Sequence, residues 1–173
     1  NSYSALLVSG SSSGNITYNR YVNTVGSGEW DLVGSPVGSQ SISGFVSSNS
    51  GSVATSGSTY ALGTYSNASG GGWSNYTTSS GSNDVASAGN FPAGTGYQMA
   101  SASGGTLAFT GTIATSDQTV AITDNSASGG TKWNLVANPF PSYLNGNSNA
   151  DTNNFFSTNS GVLHGSFSAI YGW

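Results

Sequence analysis

The apolar residues of this chain come in short runs that alternate with polar ones, and this alternation restricts the fold more than any other feature. In Thr106-Leu107-Ala108-Phe109-Thr110-Gly111-Thr112-Ile113, the side chains of Leu107, Phe109 and Ile113 fall on one face. In Thr119-Val120-Ala121-Ile122-Thr123, Val120 and Ile122 share a face between polar neighbours. A period of two with β-branched and aromatic content marks a half-buried strand. Similar clusters at Ser4–Val8, Ile16–Val22, Trp30–Val33, Tyr60–Tyr65, Tyr97–Met99, Trp133–Val136 and Ser168–Trp173 predict further strands. Between them lie Gly-Ser-Gly-Glu, Ser-Gly-Gly-Gly and Ser-Gly-Gly-Thr, the residues of tight turns. No window sustains a helical apolar stripe; the nearest, Thr152–Ser157 around Phe155 and Phe156, allows a turn or two. The expectation is an all-β, antiparallel fold.

The composition permits a core and removes several functions. Of the 173 residues, 35% are hydrophobic and 12% aromatic, enough to fold rather than stay disordered. Only 5% are charged, with two Lys/Arg, where a typical soluble domain has about 25%. Two cations cannot neutralise a phosphate backbone or dock on an anionic bilayer, which argues against nucleic-acid and membrane-surface partners. Without cysteine there is no disulfide, thiolate metal site or thiol nucleophile. No apolar run approaches the roughly 18 residues of a membrane span. A chain starting at Asn1, with no basic leader, fits a processed product.

Two sequence frames recur in the same order. Trp30-Asp31-Leu32-Val33-Gly34-Ser35-Pro36 matches Trp133-Asn134-Leu135-Val136-Ala137-Asn138-Pro139, an offset of 103 residues from Trp30 to Trp133. Phe45-Val46-Ser47-Ser48-Asn49-Ser50-Gly51 matches Phe155-Phe156-Ser157-Thr158-Asn159-Ser160-Gly161, an offset of 110 from Phe45 to Phe155. A third echo pairs Ala61–Tyr65 with Ala169–Trp173. Self-similarity at a fixed period predicts a duplicated unit of about 105 residues. The expected architecture is a jelly-roll-like β-sandwich: N-terminal strands in 1–25, a first β unit in 26–127, and a second in 128–173. The second copy carries extra residues between Pro139 and Phe155 and stops at Trp173, the counterpart of Tyr65. It is therefore expected to be incomplete and the chain a fragment, lacking roughly the last 45 to 50 residues of a unit. Each Trp, with Leu32 or Leu135 beside it, is expected to anchor the core of its own unit.

The run Trp133-Asn134-Leu135-Val136-Ala137-Asn138-Pro139-Phe140-Pro141-Ser142, the Gly94-Thr95-Gly96-Tyr97 turn and strand, and Phe109-Thr110-Gly111-Thr112 resemble a segment of large secreted surface proteins of Bacteroidetes, especially flavobacteria. That segment carries a similar Trp-x-Leu-x-Gly-Asn-Pro-Tyr-Pro-Ser run. Ala137 stands where the family usually has Gly, and Phe140 where it has Tyr. A C-terminal sorting domain for type IX secretion typically follows in such proteins. The resemblance implies a cell-surface or extracellular location, export through outer-membrane machinery, and adhesive or filament-forming roles. It offers no catalytic residues.

The chemistry-bearing residues are few. Glu29 and Asp31 lie two apart on one strand face and could mimic a glycosidase pair. Lys132 and Asn134 occupy those positions in the other copy, so a solvent-facing strand side explains them better. His164, the single histidine, lies in the turn-like Leu163-His164-Gly165 with no Gly-x-Ser-x-Gly elbow to serve. Asn145, Asn147, Asn149 and Asp151 alternate around Gly146 in the insertion of the second copy, as the oxygen ligands of a calcium loop do. Only Asp151 among them is a carboxylate, and Asn is also a common turn residue. Asn-x-Ser/Thr sequons occur at Asn15, Asn67 and Asn75, where all three residue types are abundant. Trp73 and Tyr76 follow the flexible Gly70-Gly71-Gly72, and with Tyr97 they are the candidates for stacking on sugars.

The sequence thus leads to a non-enzymatic structural module, an adhesin or filament component, without a cofactor. Near-absence of charge favours self-association or packing against neighbouring surface proteins, because interface cores are depleted in charge. The alternative is a carbohydrate-binding module of a secreted enzyme, with glycans as partners.

Overall fold

Most of the strands form where alternation and turn residues coincide. The computed structural model describes residues 5–27, 30–79, 81–147 and 152–170. Among them run β1 (Ile16–Val22), β2 (Asp31–Gly34), β3 (Thr55–Ser56), β4 (Thr59–Ser66), β5 (Gly72–Thr77), β6 (Gly96–Met99) and β7 (Gly105–Gly111). Two short helices, α1 (Ile42–Ser48) and α2 (Phe155–Thr158), join them. The fold is all-β and antiparallel in its strand pairing, as the alternation predicts. One sheet has the order β2-β6-β4-β3, with β5 also on β4; a second pairs β1 with β7.

The core lies between these sheets and under α1. Leu107 and Phe109 of β7, Val22 of β1, Val33 of β2, Leu62 of β4, and Tyr97 and Met99 of β6 are buried together. Phe45 of α1 stacks on Phe109 with ring centroids 4.6 Å apart and meets Phe91 edge-on at 5.3 Å. Phe91 in turn meets Tyr97 edge-on at 5.1 Å. Such aromatic contacts add about 0.5–1.5 kcal/mol each beyond their buried area.

Helix α1 is absent from the sequence expectation. Its signal is local: Ser41 caps the helix by accepting from the Gly44 N–H at 3.0 Å. Ile42, Phe45 and Val46, at i, i+3 and i+4, supply its buried face. Seven residues are too few to register as a helical period. Asn49 closes the helix, its Nδ2 donating to Phe45 O at 2.8 Å. The same side chain also pairs with the backbone of Ala108 in β7, donating to its carbonyl at 3.0 Å and accepting from its N–H at 2.8 Å.

The duplicated frames agree at one end and differ at the other. In the second Phe frame, Asn159 closes α2 as Asn49 closes α1: Asn159 Nδ2 donates to Phe155 O at 2.8 Å. The carbonyl of Asn49 accepts from the N–H groups of Ser52 and Val53, and that of Asn159 from Val162 and Leu163. The Trp frames do not match in this way. Residues 31–34 form β2, while Trp133–Val136 contributes only an isolated bridge, Val136 to Thr95. Trp133 is 53% exposed, and Trp30 packs on the small patch of Ala54, Ala61 and Ala100. The expected pair of equivalent buried tryptophans is therefore not present. Nor do Trp30 and Leu32 face the main core: Val33 does, because β2 lies against β6 with Val33 opposite buried Tyr97.

Beyond β7 the chain turns without strands through the described residues. The expected strands at 118–123 and 133–136 do not form, nor do residues 168–170 form one. Side-chain amides tie this region to the sheet instead. Asn67 Nδ2 donates to Thr123 O at 2.9 Å, and Asn67 Oδ1 accepts from Thr123 Oγ1 at 3.0 Å. Asn134 spans the same loop, accepting from Thr123 N and donating to Thr123 O, both at 3.0 Å.

Candidate functional site

The register of the larger sheet builds an outer face whose centre is nearly flat. Leu32, Gln98, Gly63 and Asn75 lie in one row across β2, β6, β4 and β5. Gln98 Nε2 donates to Asn75 Oδ1 at 2.6 Å. This bond passes over Gly63, where a Cβ would collide with Asn75 Oδ1 and lie 3.1 Å from Gln98 Nε2. Glycine is thus required by the amides above it.

Two residues along each strand, Gly34, Gly96, Tyr65 and Trp73 continue this face. Over the two glycines lies the second Trp frame: a Cβ on Gly34 would meet Ala137, and one on Gly96 would meet the Leu135 side chain at 2.6 Å. Gly96 N donates to Leu135 O at 3.2 Å, and Ala137 N to Gly94 O at 2.8 Å. On the remaining two strands Tyr65 and Trp73 form a tilted pair with centroids 5.1 Å apart, Trp73 being 49% exposed. The result is a trough floored by the Asn75–Gln98 amides, bounded by Trp30 on one side and by Leu135, Tyr65 and Trp73 on the other. The residues that form it are uncharged.

The sugar-stacking candidates do not come together. Trp73 and Tyr76, three apart on β5, project to opposite faces of the strand. Tyr97 is 2% exposed, inside the core. Burial pushes the Tyr97 hydroxyl well above the usual phenol range, and the hydrogen-bonded Tyr76 hydroxyl adds to the rise. Burial likewise raises Tyr76, partly offset by its bond to Tyr97. This phenol pair is a structural link. The residues that join Trp73 are Tyr65 and Gln98, which sequence reading did not select, and Asn75, which it noted only as a sequon.

The remaining candidates are dispersed. Asp31 accepts from the backbone and side-chain nitrogens of Asn23, at 2.6 and 3.1 Å, and Glu29 lies outside the described residues. His164 is exposed and accepts from Ser166 N at 3.2 Å. Asn145 and Asn147 are exposed, and the Asn145 carbonyl accepts from Phe155 N at 2.8 Å. Asn149 and Asp151 lie outside the described residues. Among the described residues no three His, Cys, Asp or Glu side chains gather as a metal site. Two sequon amides are engaged, Asn67 with Thr123 and Asn125, and Asn75 with Gln98.

A second depression, about 640 Å³, lies beside α1 and is lined by Val46, Val53, Tyr60, Val85 and several hydroxyls. No helix of the described residues is long and apolar enough to cross a membrane. No family model, curated protein or solved structure matches the chain.

Proposed function

We propose that this chain is a non-enzymatic structural module of the cell surface or extracellular space, of the adhesin or filament kind, and that it works by self-association. One observation carries the reading. Positions that are buried in the first copy of the repeated frames are open in the second. Val33 is buried and its counterpart Val136 is 42% exposed. Val53 and Phe45 are buried, while Leu163 and Phe155 are half-buried. Trp133, Tyr143, Val162, Phe167 and Ile170 are exposed as well, so the described part of the second copy presents many large apolar side chains and little charge. Each large apolar side chain moved from water into an interface contributes about 1.5–3 kcal/mol. Few like charges oppose close approach of a second copy. The location outside the cell rests on the resemblance of the Trp133–Ser142 run to secreted surface proteins.

Light scattering behind size exclusion, from micromolar to millimolar protein, tests the association. The expected result is a mass that grows with concentration and returns to the monomer when Val136, Val162 and Phe167 are replaced by Asp. A monomer throughout the range would overturn the reading.

A further inference from the structure

We propose that the trough on the outer face of the larger sheet binds a neutral polysaccharide chain, with Trp73 and Tyr65 as the stacking wall and the Asn75–Gln98 pair as the hydroxyl-reading floor. The inference is independent of self-association.

Three features converge on this ligand class. First, the aromatic wall and the amide floor come from adjacent rows of one face, about 7 Å apart along the strands. A pyranose ring stacked on Trp73 therefore carries its hydroxyls over Asn75. Second, Asn75 and Gln98 hold each other through one bond at 2.6 Å. Each amide has further donor or acceptor capacity, and a pair of neighbouring sugar hydroxyls offers both roles. Third, the floor row crosses four strands spaced about 4.8 Å apart, close to the length of one pyranose ring. A glycan lying across the strands would meet Asn75, Gln98 and Leu32 in turn, and Gly63 beneath the amide pair lets the two side chains bond flat against the sheet. The absence of charge from floor and walls disfavours acidic glycans, which would forfeit hydration without a cation in return. Trp73 and Tyr65 also stabilise the β4–β5 pair as cross-strand aromatics do, but that role does not call for the amide floor beside them.

The test titrates the full chain with cello-, xylo- and manno-oligosaccharides and with polygalacturonate, followed by calorimetry and tryptophan fluorescence. At least one neutral series is expected to bind in the millimolar range or tighter, and polygalacturonate not to bind. Trp73→Ala should weaken binding at least about tenfold, which corresponds to about 1.4 kcal/mol. Gln98→Ala should weaken it by a comparable factor while leaving the aromatic pair in place, and it serves alone if Trp73→Ala fails to fold. Tyr21→Ala, on the other sheet, should bind as the parent does. No binding by any neutral series at millimolar concentration would overturn the proposal, as would binding that survives Gln98→Ala unchanged. Glycan binding by a chain that stays monomeric up to millimolar protein would refute the self-association reading and leave this one standing.

Discussion

Replacing Asn49 with alanine removes three hydrogen bonds at once, and their geometry sets the expected loss. Asn49 is 5% exposed. Its amide meets Phe45 O at 2.8 Å and Ala108 O at 3.0 Å, and accepts from Ala108 N at 2.8 Å. The side chain thus closes α1 and also extends the ladder of β7 as a neighbouring strand would. A net hydrogen bond is worth about 0.5–1.5 kcal/mol, and a buried group left without a partner costs about 1–3. Ala108 would lose a partner on both backbone groups at a part-buried edge. Asn49→Ala should therefore cost about 2–4 kcal/mol, a large part of the roughly 5–15 that holds a domain together. Asn49→Asp should cost at least as much, because a carboxylate keeps the bond from Ala108 N but faces two carbonyl oxygens. Urea unfolding measures this as a fall in midpoint at constant slope. Asn159→Ala is the matched comparison: it removes one bond, to Phe155 O, from a half-buried residue, and should cost less than about 1 kcal/mol. A loss at Asn49 below about 0.5 kcal/mol, or equal to that at Asn159, would refute the bridging role.

Phe109→Ala should destabilise by about 3–5 kcal/mol in the same urea assay, since its ring stacks on Phe45 and no part of it reaches water. Gly34→Ala should cost about 1–3 kcal/mol and lift Leu135 off Gly96, because its new methyl collides with Ala137. Ala137→Gly in the same chain should return part of that loss, which a double-mutant cycle measures directly. Asp124 is held at about 2, below its ordinary 3.8, first by the Ser126 hydroxyl and N–H and then by Lys132. Its contribution to the 124–132 loop is present above the ordinary value and lost as pH falls through the lower one. The Ser126 amide resonance should report a midpoint near 2, and Ser126→Ala should move it upward.

Five of the strands were legible because each has a face in the core that enforces alternation: β1, β2, β4, β6 and β7. Strand β5 was missed because Trp73 is exposed and Ser74, Asn75 and Tyr76 show no apolar alternation. The opposite error occurred at 118–123 and 133–136, where alternation is present but no ladder forms. A period of two says which side chains share a face, not that a second backbone lies within reach. The wrong face was assigned to β2 because Trp30 and Leu32 outweigh Val33 in size. Yet it is Val33 that the register sets beside Tyr97, and Trp30 settles on alanines instead. The trough was only partly readable. Trp73 stands out in the sequence, whereas Tyr65, Asn75 and Gln98 meet it through the registers of three strands, and register is a long-range property.

The pairing of β1 with β7 also governs when this protein can fold. Thr17 and Thr110 face each other across it, 93 residues apart, so β1 leaves the ribosome well before β7, the last of the described strands, can pair with it. Helix α1 and the β4–β5 hairpin can form from neighbouring residues, but the floor of the core, Leu107 and Phe109, arrives late. Closing so long a loop before any reward is slow. During synthesis, β1 therefore stays a solvent-exposed segment with an open hydrogen-bonding edge. The sandwich closes only once β7 has been made.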